Sequence, residues 1–131
     1  MTTLKSLIIV ISSAILLVSC GSSKSLDQTN PKSVVEYIFS SAKSSDFSGL
    51  SQLCDPKGEN DSDTKRICNL ANEEDKVKDS FNEYFAKGTV VGEAKINGDQ
   101  AAVKFKFGPD GTKEETMNLI QREGKWYLYG F

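Results

Sequence analysis

The chain of 131 residues carries 16 basic and 18 acidic side chains, for a formal net charge of −2 at pH 7, and it contains no histidine. This balance provides no concentrated basic face of the kind that nucleic acid requires, so we expect no nucleic-acid partner. The commonest general base and the commonest metal ligand are both missing. We therefore expect neither an enzyme nor a metal or cofactor site.

The first 20 residues have the organisation of an export signal. Lys5 precedes an apolar run, Leu7 to Val18, that is shorter than the roughly 20 residues of a membrane-spanning helix and typical of a signal sequence. The run ends at Leu17-Val18-Ser19-Cys20, which resembles the lipobox of bacterial lipoproteins. The resemblance implies a signal peptide at 1–19 and lipidation, palmitate included, at Cys20. An uncleaved N-terminal anchor is the alternative.

A lipidated Cys20 would hold the protein on the membrane of the cell envelope, because several acyl chains on one residue anchor stably where a single chain is marginal. The residue directly after Cys20 is Gly21 and not an aspartate. By analogy with the lipoprotein class, this favours the outer membrane, facing the periplasm, in a Gram-negative cell. Residues 20–29 are small and polar and predict a flexible tether. Residues 30–131 suffice for one domain.

Helical signals fill the first part of this domain. Asn30 and Pro31 predict a helix start, as N-cap and first helical residue. An apolar stripe from Val34 to Ala42 predicts that the helix continues to about Ser44. Further helices are predicted over Phe47–Leu53 behind a capping Asp46, from about Thr64, and from an acidic cap at 72–75 to Lys87-Gly88.

From Thr89 the apolar period changes from that of a helix to that of a strand. Val90 to Ile96 alternate, Asn97-Gly98-Asp99 is a hairpin signal, and alternating strands continue to the end of the chain. Helices followed by strands predict an α+β fold, with N-terminal helices packed on a C-terminal four-stranded antiparallel meander. We expect Trp126 to face inward.

Two motifs in this sheet carry a family resemblance. Ile96-Asn97-Gly98-Asp99-Gln100-Ala101-Ala102-Val103 resembles the "gd-x-A-x-V" hairpin of nuclear-transport-factor-2-like domains, and Gly124-Lys125-Trp126-Tyr127-Leu128 resembles their closing "GkWkv" strand. With Phe39 and Asp46-Phe47 the resemblance covers about Pro31 to Phe131. It points to lipoproteins of unknown function with a lumazine-binding-like, cystatin-like fold. It implies a cone of helices on a curved sheet, a fold that hosts enzymes, adaptors and structural modules alike.

Cys54 and Cys68 are the two thiols that remain once Cys20 is lipidated. An exported protein meets an oxidising compartment, which favours a disulfide between them. A loop of about 15 residues closed in this way gains roughly 3 kcal/mol in the chain-entropy model. Two separately buried thiols are the alternative. A catalytic thiolate usually needs a neighbouring base such as histidine, which the chain lacks.

Acidic residues alternate at Glu59, Asp61 and Asp63, a spacing that resembles part of a calcium loop. An EF-hand would require glycine where Thr64 stands and a glutamate near its twelfth position, where Leu70 stands. Both requirements fail. We therefore expect a solvated acidic loop and no metal.

The cone-shaped cavity implied by the resemblance provides the main functional hypothesis. Its candidate lining residues are Phe39, Phe81, Phe85, Phe105 and Trp126, although helical and strand periodicity also explains them as core. We expect a non-catalytic binding or assembly module whose partner is a small apolar ligand or an envelope protein. The oligomeric state stays open, a dimer included.

Two other functions compete with this hypothesis. A metal-free isomerase or dehydratase would place a carboxylate base and a hydrogen-bond donor inside the cavity, for which Asp46, Glu36 and Tyr37 are the helix-side candidates. An inhibitor or structural subunit of an envelope complex would use the exposed sheet face. Lys95, Lys104 and Lys106 are expected on that face.

Overall fold

The computed structural model describes residues 25–131, in which three α-helices precede an antiparallel sheet of five strands. The α+β class predicted from the sequence is therefore confirmed. The predicted signal peptide at 1–19 and the predicted lipidation site at Cys20 lie outside the described residues. The helices are α1 (Pro31–Ser44), α2 (Ser62–Cys68) and α3 (Asp75–Phe85), with 3₁₀ turns at Leu50–Leu53 and Leu70–Asn72.

Helix α1 begins and ends where its sequence predicts. The side-chain oxygen of Asn30 accepts a hydrogen bond from the backbone N–H of Lys32 at 3.0 Å, and Pro31 takes the first helical position. The helix stops at Ser44 because Ser45 adopts a left-handed φ of 53°. Burial of a large aliphatic side chain contributes about 1.5–3 kcal/mol. The stripe that anchors α1 on the sheet is Val34, Val35, Ile38, Phe39 and Ala42.

The sheet has one more strand than the sequence predicted. The expected first strand is interrupted at Gly92, whose φ of +71° lies outside the strand region. The chain leaves the sheet after Val90 and rejoins it at Lys95, and both segments pair with the same neighbour. The strands are β1 (Thr89–Val90), β2 (Lys95–Asn97), β3 (Gln100–Phe107), β4 (Lys113–Arg122) and β5 (Lys125–Gly130), in the order β1-β3-β4-β5 with β2 also on β3.

Strand alternation sets the two faces of the sheet. Val103, Phe105 and Phe107 are buried under the helices, while Lys104 and Lys106 between them are exposed. Trp126 is 3% exposed, which confirms its predicted inward orientation. The helices therefore cover one face of the sheet.

A bulge in β5 decides the position of the last residue. The pairing of β4 with β5 shifts between Asn118 and Leu119, so that Tyr129 is an extra residue in β5. Alternation counted from the buried Leu128 would send Phe131 to the outer face. Because of the bulge, Phe131 instead packs against the inner, aromatic side of the sheet.

The β5 edge is covered by two other segments. The backbone N–H of Trp126 donates to the carbonyl of Gln28 at 2.8 Å, and the Gln28 side chain donates to the carbonyl of Trp126 at 3.2 Å. The N–H of Asp61 donates to the carbonyl of Tyr129 at 2.9 Å. Leu26 packs against the core. Residues 26–28 belong to the stretch predicted to be a flexible tether, but they contact the domain and protect a strand edge.

Candidate functional site

A groove of about 240 Å³ opens between α2 and α3. Each helix contributes a stripe of side chains with helical spacing, and β3 and the end of the chain supply the floor. The α2 side, continued into the following turn, provides Asp63, Arg66, Ile67 and Leu70, the α3 side provides Val77, Ser80, Phe81, Tyr84 and Phe85, and the floor is Phe107 with Phe131.

Aromatic rings form a continuous surface in this groove. The ring centroids of Phe81 and Phe85 are 4.7 Å apart in a stacked arrangement. Phe85 lies 5.2 Å from Phe107 and 6.1 Å from Phe131, and Phe107 lies 5.5 Å from Phe131. These separations fall in the range in which aromatic pairs attract. The interior of the groove therefore suits an apolar ligand group.

The wall formed by α2 is too short to be stable alone, and a single carboxylate fixes its first turn. Asp61 Oδ1 accepts hydrogen bonds from the backbone N–H of Thr64 at 2.8 Å and from the Thr64 hydroxyl at 2.7 Å, while its Oδ2 accepts from the N–H of Phe131 at 2.9 Å. Burial alone would raise the pKa of Asp61, but these hydrogen bonds outweigh it and hold the pKa below its usual range. Asp61 thus joins one wall of the groove to its floor.

The C-terminal end of α2 is linked to the preceding loop by a disulfide. The sulfurs of Cys54 and Cys68 lie at disulfide-bonding distance, and their Cα atoms are 5.3 Å apart, within the usual range for a disulfide. The pairing predicted from the sequence is therefore present. It closes the loop that leads into α2.

An ion-pair network holds this loop against the sheet. The fully buried carboxylate of Asp55 accepts from Arg122 Nε and Nη2, both at 3.1 Å, and Glu59 accepts from Nη2 at 2.9 Å. Burial alone would raise the pKa of Asp55, but the hydrogen bonds from Arg122 and from two backbone N–H groups outweigh it and lower the pKa. The hydrogen bonds that Arg122 donates to Asp55, and then to Glu59, raise the pKa of Arg122.

The three acids with calcium-like spacing are placed apart by these contacts. Glu59 pairs with Arg122, Asp61 caps α2, and Asp63 lines the groove. Within residues 25–131, no group of three or more ligating side chains has the geometry of a metal site. Each acid thus has a separate structural setting.

The structure divides the five predicted lining residues between the groove and the core. Phe81 and Phe85 line the groove. Phe39 and Phe105 lie deeper, with ring centroids 5.6 Å apart and exposures of 3% and 0%. Trp126 is buried at the opposite end of β5 from Phe131.

Several lining residues were not singled out from the sequence. Ile67, Leu70 and Val77 share helical periodicity with the residues that were named, and that periodicity could have found them. Phe131 could not be found in this way, because its orientation depends on the bulge in β5.

The carboxylate and donor candidates for an isomerase lie away from the groove. Asp46 is exposed and accepts hydrogen bonds from the Ser48 hydroxyl and N–H at 2.7 and 3.2 Å, which lower its pKa. Glu36 lines a separate cleft beside α1. Tyr37 packs near Gly49 at the following turn.

Comparison of the chain with protein-family models, with curated proteins and with solved structures found no match in any of the three. The resemblance to nuclear-transport-factor-2-like domains rests on the motifs quoted above and stays a prediction. From residue 25 onward, no helix combines the length and the apolar character needed to cross a membrane.

Proposed function

We propose that this protein is a non-catalytic binding module, held on the bacterial envelope by lipidated Cys20, whose ligand site is the groove between α2 and α3. The observation that carries the proposal is the aromatic lining: Phe81, Phe85, Phe107 and Phe131 meet in one open depression. Concave, mostly apolar sites with a few polar groups at the rim are the usual form of small-molecule sites. A domain of the nuclear-transport-factor-2-like kind would likewise bind its ligand between helices and sheet.

The polar groups of the groove favour binding over catalysis. Asp63, Arg66 and Tyr84 supply its ionisable side chains, and all three residues are exposed. An isomerase-type mechanism instead requires an ionisable group enclosed among apolar side chains, where burial tunes its pKa. The enclosed part of this groove consists of hydrocarbon and rings, which hold a ligand without transferring a proton.

The sheet face gives less support to the assembly alternative. Its β3 strand exposes Lys104 and Lys106, and Lys106 lies opposite Glu114 on β4. Among residues 25–131, the exposed large hydrophobic side chains are Tyr84 at 46% and Ile96 at 59%. Tyr84 lies beside the groove, so Ile96 is the one large hydrophobic side chain of this range that is largely exposed elsewhere.

A fluorescent apolar probe tests the site. N-phenyl-1-naphthylamine should brighten when it binds residues 21–131 exported to an oxidising compartment, and native mass spectrometry of the same sample should show extra bound mass if a natural ligand is retained. Ser80 is exposed on the α3 wall, so Ser80→Trp should fill the groove and abolish the fluorescence gain.

Ser51→Trp is the matched control, because Ser51 is exposed in the 3₁₀ turn and does not line the groove. This variant should bind the probe as the parent protein does. Equal binding by both variants would place the probe elsewhere and contradict the proposed site. Absence of probe binding in the parent protein would contradict the proposed function.

A further inference from the structure

Among residues 25–131, Arg66 is the one strongly basic side chain at the rim of the groove. It lies on α2 one turn before Leu70, on the stripe that forms the groove wall. It is exposed and takes part in no ion pair with another residue of the range 25–131. A guanidinium in this position offers several N–H donors in one plane.

The other arginine shows what this side chain does elsewhere in the protein. The chain has two arginines among its 16 basic residues. Arg122 is engaged by two carboxylates, with both of its contacting nitrogens 3.1 Å from Asp55. Arg is suited to carboxylate recognition because its donors match two acceptor oxygens at once, whereas a lysine acts as a point charge. Arg66 has the same capacity, and no carboxylate of the part of the chain from residue 25 onward forms an ion pair with it.

We propose that the groove binds an amphipathic carboxylate, such as a medium-chain fatty acid or an aryl-alkanoic acid, with its tail on the aromatic floor and its carboxylate on Arg66. This inference rests on the proposed function and specifies the ligand class. A cavity of about 150 Å³ accommodates benzene, so the groove of about 240 Å³ suits one ring with a short chain, or an alkyl chain of similar bulk.

Asp63 defines the orientation of such a ligand. It lies one helical turn before Arg66 on the same stripe and presents acceptors only. A carboxylate would be repelled near Asp63 and attracted at Arg66, so the head group is directed to Arg66 and the tail toward Leu70 and Phe81. The pair also predicts opposite effects when the two charges are removed separately.

Three chain-matched probes test the charge preference at pH 7.5 and low salt: decanoate and decyltrimethylammonium below their micelle concentrations, and decanol below its solubility limit. Displacement of N-phenyl-1-naphthylamine measures their affinities. Decanoate should bind about tenfold more tightly than decanol, the contribution of a charge-assisted contact at a partly exposed site. Decyltrimethylammonium should bind most weakly of the three.

Single substitutions then locate the preference. Arg66→Gln should bring decanoate to within about twofold of decanol without changing the affinity for decanol, since it removes only a charge-assisted contact. Asp63→Asn should tighten decanoate binding. Lys65→Gln is the matched control, because Lys65 is an exposed cation on the same helix that does not line the groove, and it should leave the ratio unchanged.

The outcomes separate this inference from the proposed function. Equal binding of decanoate and decanol by the parent protein, or tighter binding of the cation, would overturn the carboxylate assignment and leave the apolar groove standing. A preference that survives Arg66→Gln or disappears with Lys65→Gln would overturn the role of Arg66. Failure of all three probes, together with N-phenyl-1-naphthylamine, would contradict the proposed function as well.

Discussion

Removal of the Cys54–Cys68 disulfide should destabilise the domain by an amount that its loop length sets. The two cysteines are separated by 14 positions, for which the chain-entropy model gives roughly 3 kcal/mol. At about 4–8 °C per kcal/mol for a domain of this size, the double variant Cys54→Ser/Cys68→Ser should melt about 12–24 °C lower. The change acts mainly on the unfolded chain, because the ion pair of Asp55 and the cap at Asp61 stay in the folded loop.

Calorimetry and urea unfolding measure this effect. The urea dependence should steepen in the variant, since an unfolded chain without the cross-link exposes more surface. Wild-type protein in dithiothreitol should reproduce the lower melting temperature, while the reductant should leave the double variant unchanged. Two free thiols in the oxidised wild type, or an unchanged melting temperature in the variant, would refute the reasoning.

Three further substitutions test the contacts that position the groove and the core. The lowered pKa of Asp55 means that its contribution to stability is present above about pH 4 and is lost as the pH falls through the pKa that Asp55 has in the folded protein. Asp55→Asn should lower the free energy of unfolding by about 2 kcal/mol at pH 7, because it weakens the contact with Arg122. In urea unfolding the variant should lose less stability on acidification than the wild type, and an equal loss would contradict this. A Cβ at Gly88 would overlap the Phe39 ring, so Gly88→Ala should lower the free energy of unfolding by about 1–3 kcal/mol, measured by thermal denaturation. Phe39→Leu should restore part of this stability in the double variant, whereas additive losses would argue against the overlap. Asn30→Ala should cost about 1 kcal/mol through loss of the helix cap, with Asn30→Asp as the control that retains it.

Local chemistry made the elements themselves predictable. Asn30 and Pro31 fixed the start of α1 because a cap and a preset φ act over one helical turn. The Asn97-Gly98-Asp99 turn likewise gave the β2–β3 hairpin, since Gly98 adopts the positive φ that such a turn requires. Features decided within a few residues could thus be obtained from the sequence.

The groove depends on features that local patterns do not contain. Alternation fails to predict the position of Phe131, because the bulge at Tyr129 follows from pairing with β4, a partner chosen by the whole sheet. Gly92 breaks the first strand, although the apolar residues on either side continue the pattern of alternation. Nothing in the local sequence distinguishes Asp63 and Arg66 from other exposed helical residues. They become groove residues only because the fold packs α3 opposite α2.

The same contacts that stabilise the loop also hold the groove in a shape suited to the proposed ligand. Helix α2 spans only Ser62–Cys68, so its own hydrogen bonds cannot hold it in place. Asp61 ties its first turn to Phe131, and Cys68 ties its last turn to Cys54. A wall fixed at both ends loses little further entropy when a ligand binds, which strengthens binding without any added contact. Oxidised protein should therefore bind decanoate more tightly than reduced protein at a temperature where both are folded, and equal affinities would show that Asp61 alone suffices to position α2.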